Sequence, residues 1–408
     1  MRCRFCNKEI TQLFVSLGSA PLSNAYLKEE QLACKEPSYP LDVYVCDSCF
    51  LVQLPEFESP DNIFSDYAYF SSYSETWMRH CEEYADKMFK DFGINETSRV
   101  VEIASNDGCL LQYFMRKGAS VLGIEPAVNV AEAARKKSVP TEAAFFGTRT
   151  AKRLAREGKT ADLLIGNNVL AHVPDLNDFV QGLGILLNPN GMITMEFPHL
   201  ARLIEGRQFD TIYHEHFSYF SFLTAEKVFS ANSLVIFDVE ELPTHGGSLR
   251  IYARHKDDNT KPVSERVRKM LDRETGSGYA NITNYFAFDE QAKKARRELL
   301  GLLIRIRQDG KTIVGYGAAA KGNTMLNYCG IKNDLIDYVA DISPYKQGRF
   351  MPGSHIPIVS PDRIRETKPD YILILPWNIR EEIMRQLSFV RDWGGSFIIP
   401  IPELEVIR

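Results

Sequence analysis

The sequence predicts an α/β protein. Its middle reads as a doubly wound parallel sheet, preceded by a small cysteine-bearing β unit and followed by a second, Rossmann-like α/β unit. Three observations carry this prediction. Residues 99–126, RVVEIASNDGCLLQYFMRKGASVLGIEP, read as strand, polar turn, helix and strand. Val100–Ala104 is an apolar run short enough for a buried strand; Ser105-Asn106-Asp107-Gly108 is a turn; Leu110, Leu111 and Phe114 recur at helical spacing up to Lys117-Gly118; Ser120–Ile124 is a second run, ending on Glu125. Upstream lie two C-x-x-C pairs, and downstream Lys311–Gly317 opens a second strand-to-helix turn.

With 408 residues the chain is long for one core, so several domains are expected, at 1–60, 61–307 and 308–408. An apolar fraction of 44% suits a globular protein. A net charge of −5, with no long basic block, makes nucleic acid and anionic membrane poor partners. Met1 to Cys6 shows no apolar leader, and no run approaches the roughly 18 apolar residues of a membrane span. The chain reads as cytoplasmic and is taken to be a monomer.

In a reducing compartment, Cys3-x-x-Cys6 and Cys46-x-x-Cys49 read as a tetrahedral zinc site, because a tight turn points two thiolates at one metal. Four thiolates leave no position for water, so the zinc is structural. Cys34, Cys81, Cys109 and Cys329 have no partner at such spacing and are expected as core thiols. Residues 61–73, DNIFSDYAYFSSY, are aromatic for a linker. Tyr67, Tyr69 and Tyr73 either pack under the next helix, Glu75–Phe92, or close over a substrate.

In open α/β sheets a ligand sits outside the carboxyl ends of the strands. A dinucleotide would ask for G-x-G-x-x-G after the first strand. E-I-A-S-N-D-G offers one glycine and adds an acid. An uncharged adenosyl group with a sulfonium tail suits it better than a pyrophosphate. Glu102, Ser105, Asn106, Gly108, Glu125 and Pro126 are the candidate cofactor residues, with Glu125 placed to accept from ribose hydroxyls. Ala161–Leu170 is a buried strand whose polar end brings Asn167 or Asn168 to the aminoacyl end of the cofactor. His172 stands on the same rim, either structural or functional.

Helices are expected at Asn129–Lys137, Ala151–Glu157 and Phe179–Leu187, and a strand at Gly191–Phe197. Tyr213-His214-Glu215-His216 then stands among aromatic residues. Histidines at i and i+2 share a face on a strand, though on a tight turn they would diverge. No further ligand supports a metal there, and acid–base work is the better reading, since imidazole titrates near pH 6.5. In Thr244-His245-Gly246-Gly247-Ser248-Leu249-Arg250, the glycines allow a ligand close to backbone. Arg250 is either a phosphate or carboxylate partner or a surface arginine beside a hairpin turn. Helices follow at Val263–Leu271 and Glu290–Arg307, the second bridging to the last unit. There Gly315-Tyr316-Gly317 precedes a helix opened by Ala318–Thr324, an anion cradle with Lys321 available for charge. It lacks G-x-G-x-x-G, so a sugar-nucleotide pyrophosphate fits better than NAD.

Taken together, the two cysteine pairs, EIASNDG, YHEHFSY, THGGSLR and GYGAAAKGNT resemble the S-adenosylmethionine-dependent sugar C-methyltransferases, over essentially the whole chain. The resemblance implies a zinc-binding N-terminal domain, a class I methyltransferase core and a C-terminal Rossmann-like domain that helps hold the nucleotide. It further implies methyl transfer to carbon 3 of a nucleotide-linked 4-keto-6-deoxysugar, most simply a dTDP sugar, through an enolate. By it, His216 is the base, Tyr213 and Glu215 stand beside it, and Tyr69 and His172 complete the sugar pocket. His245, Gly247, Ser248, Arg250, Gly317, Lys321, Asn323 and Thr324 are the expected substrate contacts.

Overall fold

A computed structural model of the chain describes residues 1–59, 62–63 and 71–408. Three sheets organise it. The first is antiparallel and joins β1 (Gln12–Ala20), β2 (Tyr39–Val45) and β3 (Val52–Gln53). The second holds the parallel strands β4 (Arg99–Ile103), β5 (Ser120–Ile124), β6 (Thr141–Glu142), β7 (Ala161–Asn167) and β8 (Leu187–Pro198). The short strand that follows β8 in the chain, β9 (Ser218–Tyr219), lies outside this sheet and pairs with β3 of the first. The hairpin β10 (Leu234–Leu242) and β11 (Ser248–His255) closes the second sheet, β11 running antiparallel to β8. Its order is β10-β11-β8-β7-β4-β5-β6. Strand order reverses between β4 and β7, which opens a crevice at their carboxyl ends.

The third sheet contains β12 (Ile313–Tyr316), β13 (Val339–Ala340), β14 (Ile358–Val359), β15 (Tyr371–Ile374), β16 (Ser396–Ile399) and an antiparallel edge, β17 (Glu405–Ile407). Its order, β14-β13-β12-β15-β16-β17, is again doubly wound.

The cores do not follow the order of the chain. One continuous core joins the first sheet to the third through the long helix Ala287–Gln308, with Phe14 stacked on Phe288 at 4.7 Å. A second core fills one face of the middle sheet and takes in Cys3, Cys46 and Cys49. A third fills the other face under the helix Glu75–Asp91, whose amphipathic stripe buries Cys81, Tyr84, Ala85 and Met88.

Several local expectations shift. The helix expected from Ala151 begins at Thr148, because the carboxylate of Asp178 accepts from Thr148 N and caps it from another helix. The helix expected from Phe179 begins at Leu176, capped by Asp175 accepting from Asp178 N. The helix expected at Val263–Leu271 runs Glu265–Gly276. Cys34 is exposed and not a core thiol, whereas Cys81, Cys109 and Cys329 are buried. Arg250 is no surface arginine but 3% exposed. His214 and His216 do not share a strand face: they flank a turn that precedes β9. No helix among the described residues is long and apolar enough to cross a membrane.

Candidate active site

At the carboxyl end of β4 the backbone turns sharply. Ala104 and Asn106 take positive φ of 54° and 49°, a conformation costing roughly 1–3 kcal/mol for such residues and characteristic of functional loops. Gly108 follows at φ 74°, and a Cβ there would stand 2.8 Å from Val139. Glu125, at the end of β5, bridges this loop by accepting from Asn106 N at 3.0 Å and Ala127 N at 2.9 Å. Burial raises its pKa, against those two bonds, to about 7. Pro126 follows, half-buried.

Buried oxygens of Glu102, Ser105, Asn167 and Asn168 have no hydrogen-bond partner among the described residues. Leaving such a group unpaired costs about 1–3 kcal/mol, so a ring of them around one crevice marks a polar ligand. The set is acceptor-rich, as ribose hydroxyls, an adenine amine and an α-ammonium require. S-adenosylmethionine therefore fits the crevice.

Beside it lies a second cluster. His216 Nδ1 lies 2.8 Å from the carbonyl of Thr211. A carbonyl only accepts, so Nδ1 carries the proton and Nε2 keeps the lone pair. The ring packs on Tyr213 at 4.0 Å and edge-on to His172 at 4.6 Å. His172 in turn hydrogen-bonds the backbone of Glu215. Burial, then His172, lowers the proton affinity of His216 well below the ordinary imidazole value; burial, against the bond to Glu215, takes His172 to about 4. Both rings are neutral at pH 7. His214 turns the other way, its Nε2 lying 3.3 and 3.2 Å from the carbonyls of Tyr39 and Pro40. The carboxylate of Glu215 accepts from Asn24 Nδ2 at 2.7 Å, a partner far away in the chain that no local pattern marks. Tyr69 lies outside the described residues.

The β10–β11 hairpin closes the opposite wall. His245, Gly246 and Gly247 all have positive φ, which brings the loop onto Trp377 and Arg202. Asn168, itself at φ 55°, donates its amide to His245 Nε2 at 3.0 Å. Ser248 is spent on the carbonyl of Thr244. Arg250 does meet a carboxylate, but an internal one: Glu196 at 2.7 Å. Glu196 also binds His80 at 2.8 Å and Thr244 at 2.8 Å. Burial would raise its pKa; His80 and Arg250 outweigh that and hold it at about 2. Neither His80 nor Glu196 is legible as a site residue in the sequence, since each lies inside a regular element.

From the third sheet, the helix Ala320–Cys329 aims its N-terminus at the cluster, and Thr324 Oγ1 donates to the carbonyl of Ile212 at 2.9 Å. Lys321 Nζ lies 3.2 Å from the carbonyl of His245 and 5.2 Å from the Trp377 ring. Asn323 is buried, its amide O and N unpaired among the described residues. The turn at Gly317, φ 87°, is closed by Asp341 accepting from Ala318 N at 2.7 Å. The structure thus brings His172, Tyr213, His216, His245 and Lys321 together, and separates His214 from them.

The four cysteine sulfurs all lie within 4.8 Å of one another, Cys3 and Cys49 at 3.5 Å and Cys6 and Cys46 at 3.6 Å. A tetrahedral zinc with sulfurs at about 2.3 Å needs separations of about 3.8 Å, so the donor set fits zinc. Gln53 Nε2 donates to Cys3 Sγ at 3.3 Å and orients it.

A seven-stranded sheet reversing between β4 and β7, one antiparallel strand beside β8, and a polar crevice at the reversal define a class I S-adenosylmethionine-dependent methyltransferase. Family models agree in three successive stretches: a zinc binding domain over residues 3–64, a methyltransferase domain over 74–236 and a C-methyltransferase C-terminal domain over 243–402. The chain is 36% identical to C-methyltransferase NovU of Streptomyces niveus over 407 residues, 99% of this chain and 96% of NovU. It belongs to the family of zinc-binding, S-adenosylmethionine-dependent C-methyltransferases that includes NovU. The ubiquinone biosynthesis O-methyltransferase of Bartonella tribocorum is 28% identical over 96 residues, 23% of this chain and 39% of that one. Magnesium protoporphyrin IX methyltransferase from Synechocystis, solved with S-adenosylmethionine bound, aligns over 43% of this chain and 78% of its own at 15% identity and TM-score 0.33.

Proposed function

We propose that this enzyme methylates carbon 3 of a nucleotide-linked 4-keto-6-deoxysugar, with dTDP as the first nucleotide to test, and that His216 is the base. One observation carries the reading: a neutral imidazole, its Nδ1 pinned by the carbonyl of Thr211, faces aromatic residues and a second neutral histidine beside the cofactor crevice. S-adenosylmethionine held by Glu102, Ser105, Asn106, Gly108, Glu125, Asn167 and Asn168 supplies an electrophilic methyl group.

A ring carbon becomes nucleophilic only beside a ketone. His216 Nε2 removes the carbon 3 proton; the electron pair moves to the carbon 4 oxygen as an enolate. Tyr213 donates to that oxygen, and one such preorganised donor is worth roughly 100-fold or more. The hairpin at His245 and the Gly317–Thr324 turn hold the sugar nucleotide at the seam of two sheets. In this division, residues 1–60 form the zinc unit, 61–307 the methyltransferase and 308–408 the nucleotide-holding unit.

The test is incubation with S-adenosylmethionine and dTDP-4-keto-6-deoxysugars, read by mass spectrometry and proton NMR. A gain of one methylene with the new methyl on carbon 3 is expected. A methyl on carbon 5 moves the enolate to the other side of the ketone, and a methyl on oxygen removes the enolate altogether.

The acid at the end of β5 gives a separate prediction. Glu125→Ala is expected to weaken S-adenosylhomocysteine binding by about 10- to 100-fold, the scale of losing a charged acceptor. In the wild type, ribose hydroxyls bind the carboxylate and not the carboxylic acid. Affinity should therefore rise as pH passes upward through about 7. Calorimetric titration between pH 6 and 8 checks both statements; a flat pH profile would detach Glu125 from the ribose.

A further inference from the structure

We propose that Asn168 is a positioning residue that fixes His245 as its Nδ1–H tautomer and so makes that ring a neutral hydrogen-bond donor to an oxygen of the substrate. The use of the donor rests on the reading of this site as one for a keto sugar nucleotide; the tautomer itself does not.

Both residues are tied to Glu196 on β8. Its main-chain carbonyl accepts from Asn168 N at 2.7 Å. Its carboxylate Oε1 accepts at 2.8 Å from Thr244 Oγ1, on the residue before His245. Arg250 and His80 hold the other carboxylate oxygen at 2.7 and 2.8 Å, so Glu196 is fixed from a strand and from a helix. The hairpin loop is closed by Gly247 N donating to the Thr244 carbonyl at 2.9 Å, and Lys321 Nζ donates to the His245 carbonyl at 3.2 Å. Asn168 and His245 both stand at φ 55°. Backbone strain of this kind persists where the surroundings over-determine it.

The bond that joins them runs from Asn168 Nδ2 to His245 Nε2, at 3.0 Å. An amide nitrogen only donates, so Nε2 holds the lone pair and the ring proton sits on Nδ1. Nδ1 has no partner among the described residues, and the ring is only partly buried, tilted against Trp77 at 5.7 Å. Burial, reinforced by Lys321, lowers its pKa to about 4, so the ring is neutral at pH 7. The other side of the Asn168 amide fits this orientation. Its Oδ1 is buried and unpaired among the described residues. An amide oxygen only accepts, and S-adenosylmethionine brings a donor in its α-ammonium. With an ammonium on Oδ1, Nδ2 is what remains for His245.

His172 lies on the same connection after β7, residues 168–172, and packs on His216. One short connection therefore supports two imidazoles with opposite duties. His216 offers a lone pair on Nε2, and His245 offers a proton on Nδ1. A neutral imidazole can polarise a carbonyl by donating to it, without carrying a charge.

The test is proton–nitrogen NMR of the histidine rings at pH 7 in ligand-free protein, with His245 assigned by its absence in His245→Asn. In the wild type, Nε2 should give a pyridine-type signal and Nδ1 a pyrrole-type signal. Asn168→Asp keeps the shape of the side chain and tolerates positive φ, but its carboxylate only accepts, so the two signals should exchange. Asn168→Gly also suits positive φ and has no side chain; it should give a mixture of tautomers, and it serves if the aspartate variant does not fold. Adding S-adenosylhomocysteine to the wild type should leave its pattern in place. At saturating S-adenosylmethionine, kcat/KM for the sugar nucleotide should fall by about 10-fold or more in Asn168→Asp, the scale of losing one donor. A wild-type ring protonated on Nε2, or a pattern unchanged in a folded variant, overturns the proposal. Full kcat/KM with exchanged signals does so too, because the donor would then be idle. The tautomer is read without substrate. The expected signals in an enzyme that methylates no sugar nucleotide would therefore count against the proposed function and leave the control of His245 by Asn168 standing.

Discussion

His216→Asn is expected to lower turnover by about 100-fold or more, the scale of losing general-base help. The substitution keeps a polar side chain able to reach the Thr211 carbonyl, so the turn before β9 should survive. What disappears is the lone pair on Nε2. S-adenosylhomocysteine affinity should barely change, since Glu102 and Glu125 stand at the ends of β4 and β5, away from this turn. Solvent deuterium exchange at the sugar carbon beside the ketone should fall in parallel with methylation. His214→Asn is the control: its imidazole faces the carbonyls of Tyr39 and Pro40, so loss there should appear in thermal stability and only mildly in turnover. If His216→Asn exchanges the proton at the normal rate, the base is another group, and His172 and Tyr213 are the nearest.

Removing the zinc is the second large effect. Structural zinc binding in small domains is worth about 10–16 kcal/mol in apparent terms, much of it folding energy. On local chemistry alone, Cys46→Ser should hurt folding more than catalysis. The structure changes that expectation. Gln53, which orients Cys3, lies in β3 and pairs with Ser218 of β9, two residues past His216. Arg4, between the first two cysteines, donates to the Phe217 carbonyl at 3.0 Å, and Leu54 N does so at 3.0 Å. Thr224 Oγ1 donates to the Cys49 carbonyl at 3.2 Å. The zinc unit therefore holds one side of the turn that carries His216. Chelation, or Cys46→Ser, should cost at least about 10-fold in turnover along with the loss of protected amides in β1–β3. S-adenosylhomocysteine binding, which rests on Glu102 and Glu125 at the ends of β4 and β5, should be much less affected. Elemental analysis should find about one zinc per chain of reduced protein. Full turnover in zinc-free protein would separate the two sites.

Much of the cofactor side was legible because it is local. The strand, the loop Ser105–Gly108, the helix behind it and the acid ending β5 lie within one strand-helix-strand stretch, and the apolar spacing shows where each begins. The cysteine pairs were legible for the same reason: each C-x-x-C is one turn, and its chemistry does not depend on what surrounds it. The substrate side was less so. Arg250 was open between ligand partner and surface residue; only the buried Glu196, on the neighbouring strand, shows where its charge is spent. Helix starts shifted at Thr148 and Leu176 because Asp178 and Asp175 cap them, the first from a helix elsewhere in the chain.

The sequence by itself determined the doubly wound sheets, the cofactor crevice and the metal knuckles. Short-range periodicity and turn chemistry specify these, and burial of one apolar face then follows. Tertiary structure decided which histidine of Tyr213–His216 packs against His172, because a turn rotates successive side chains apart where a strand would align alternate ones. It also decided that β9 joins the zinc unit's sheet, and that Asn24 and Thr324 meet the stretch Ile212–Glu215 from either side in the chain. Those contacts join residues more than 100 positions apart. Nothing in the local pattern encodes such proximity; it comes from the packing of the first and third sheets into one core around Ala287–Gln308.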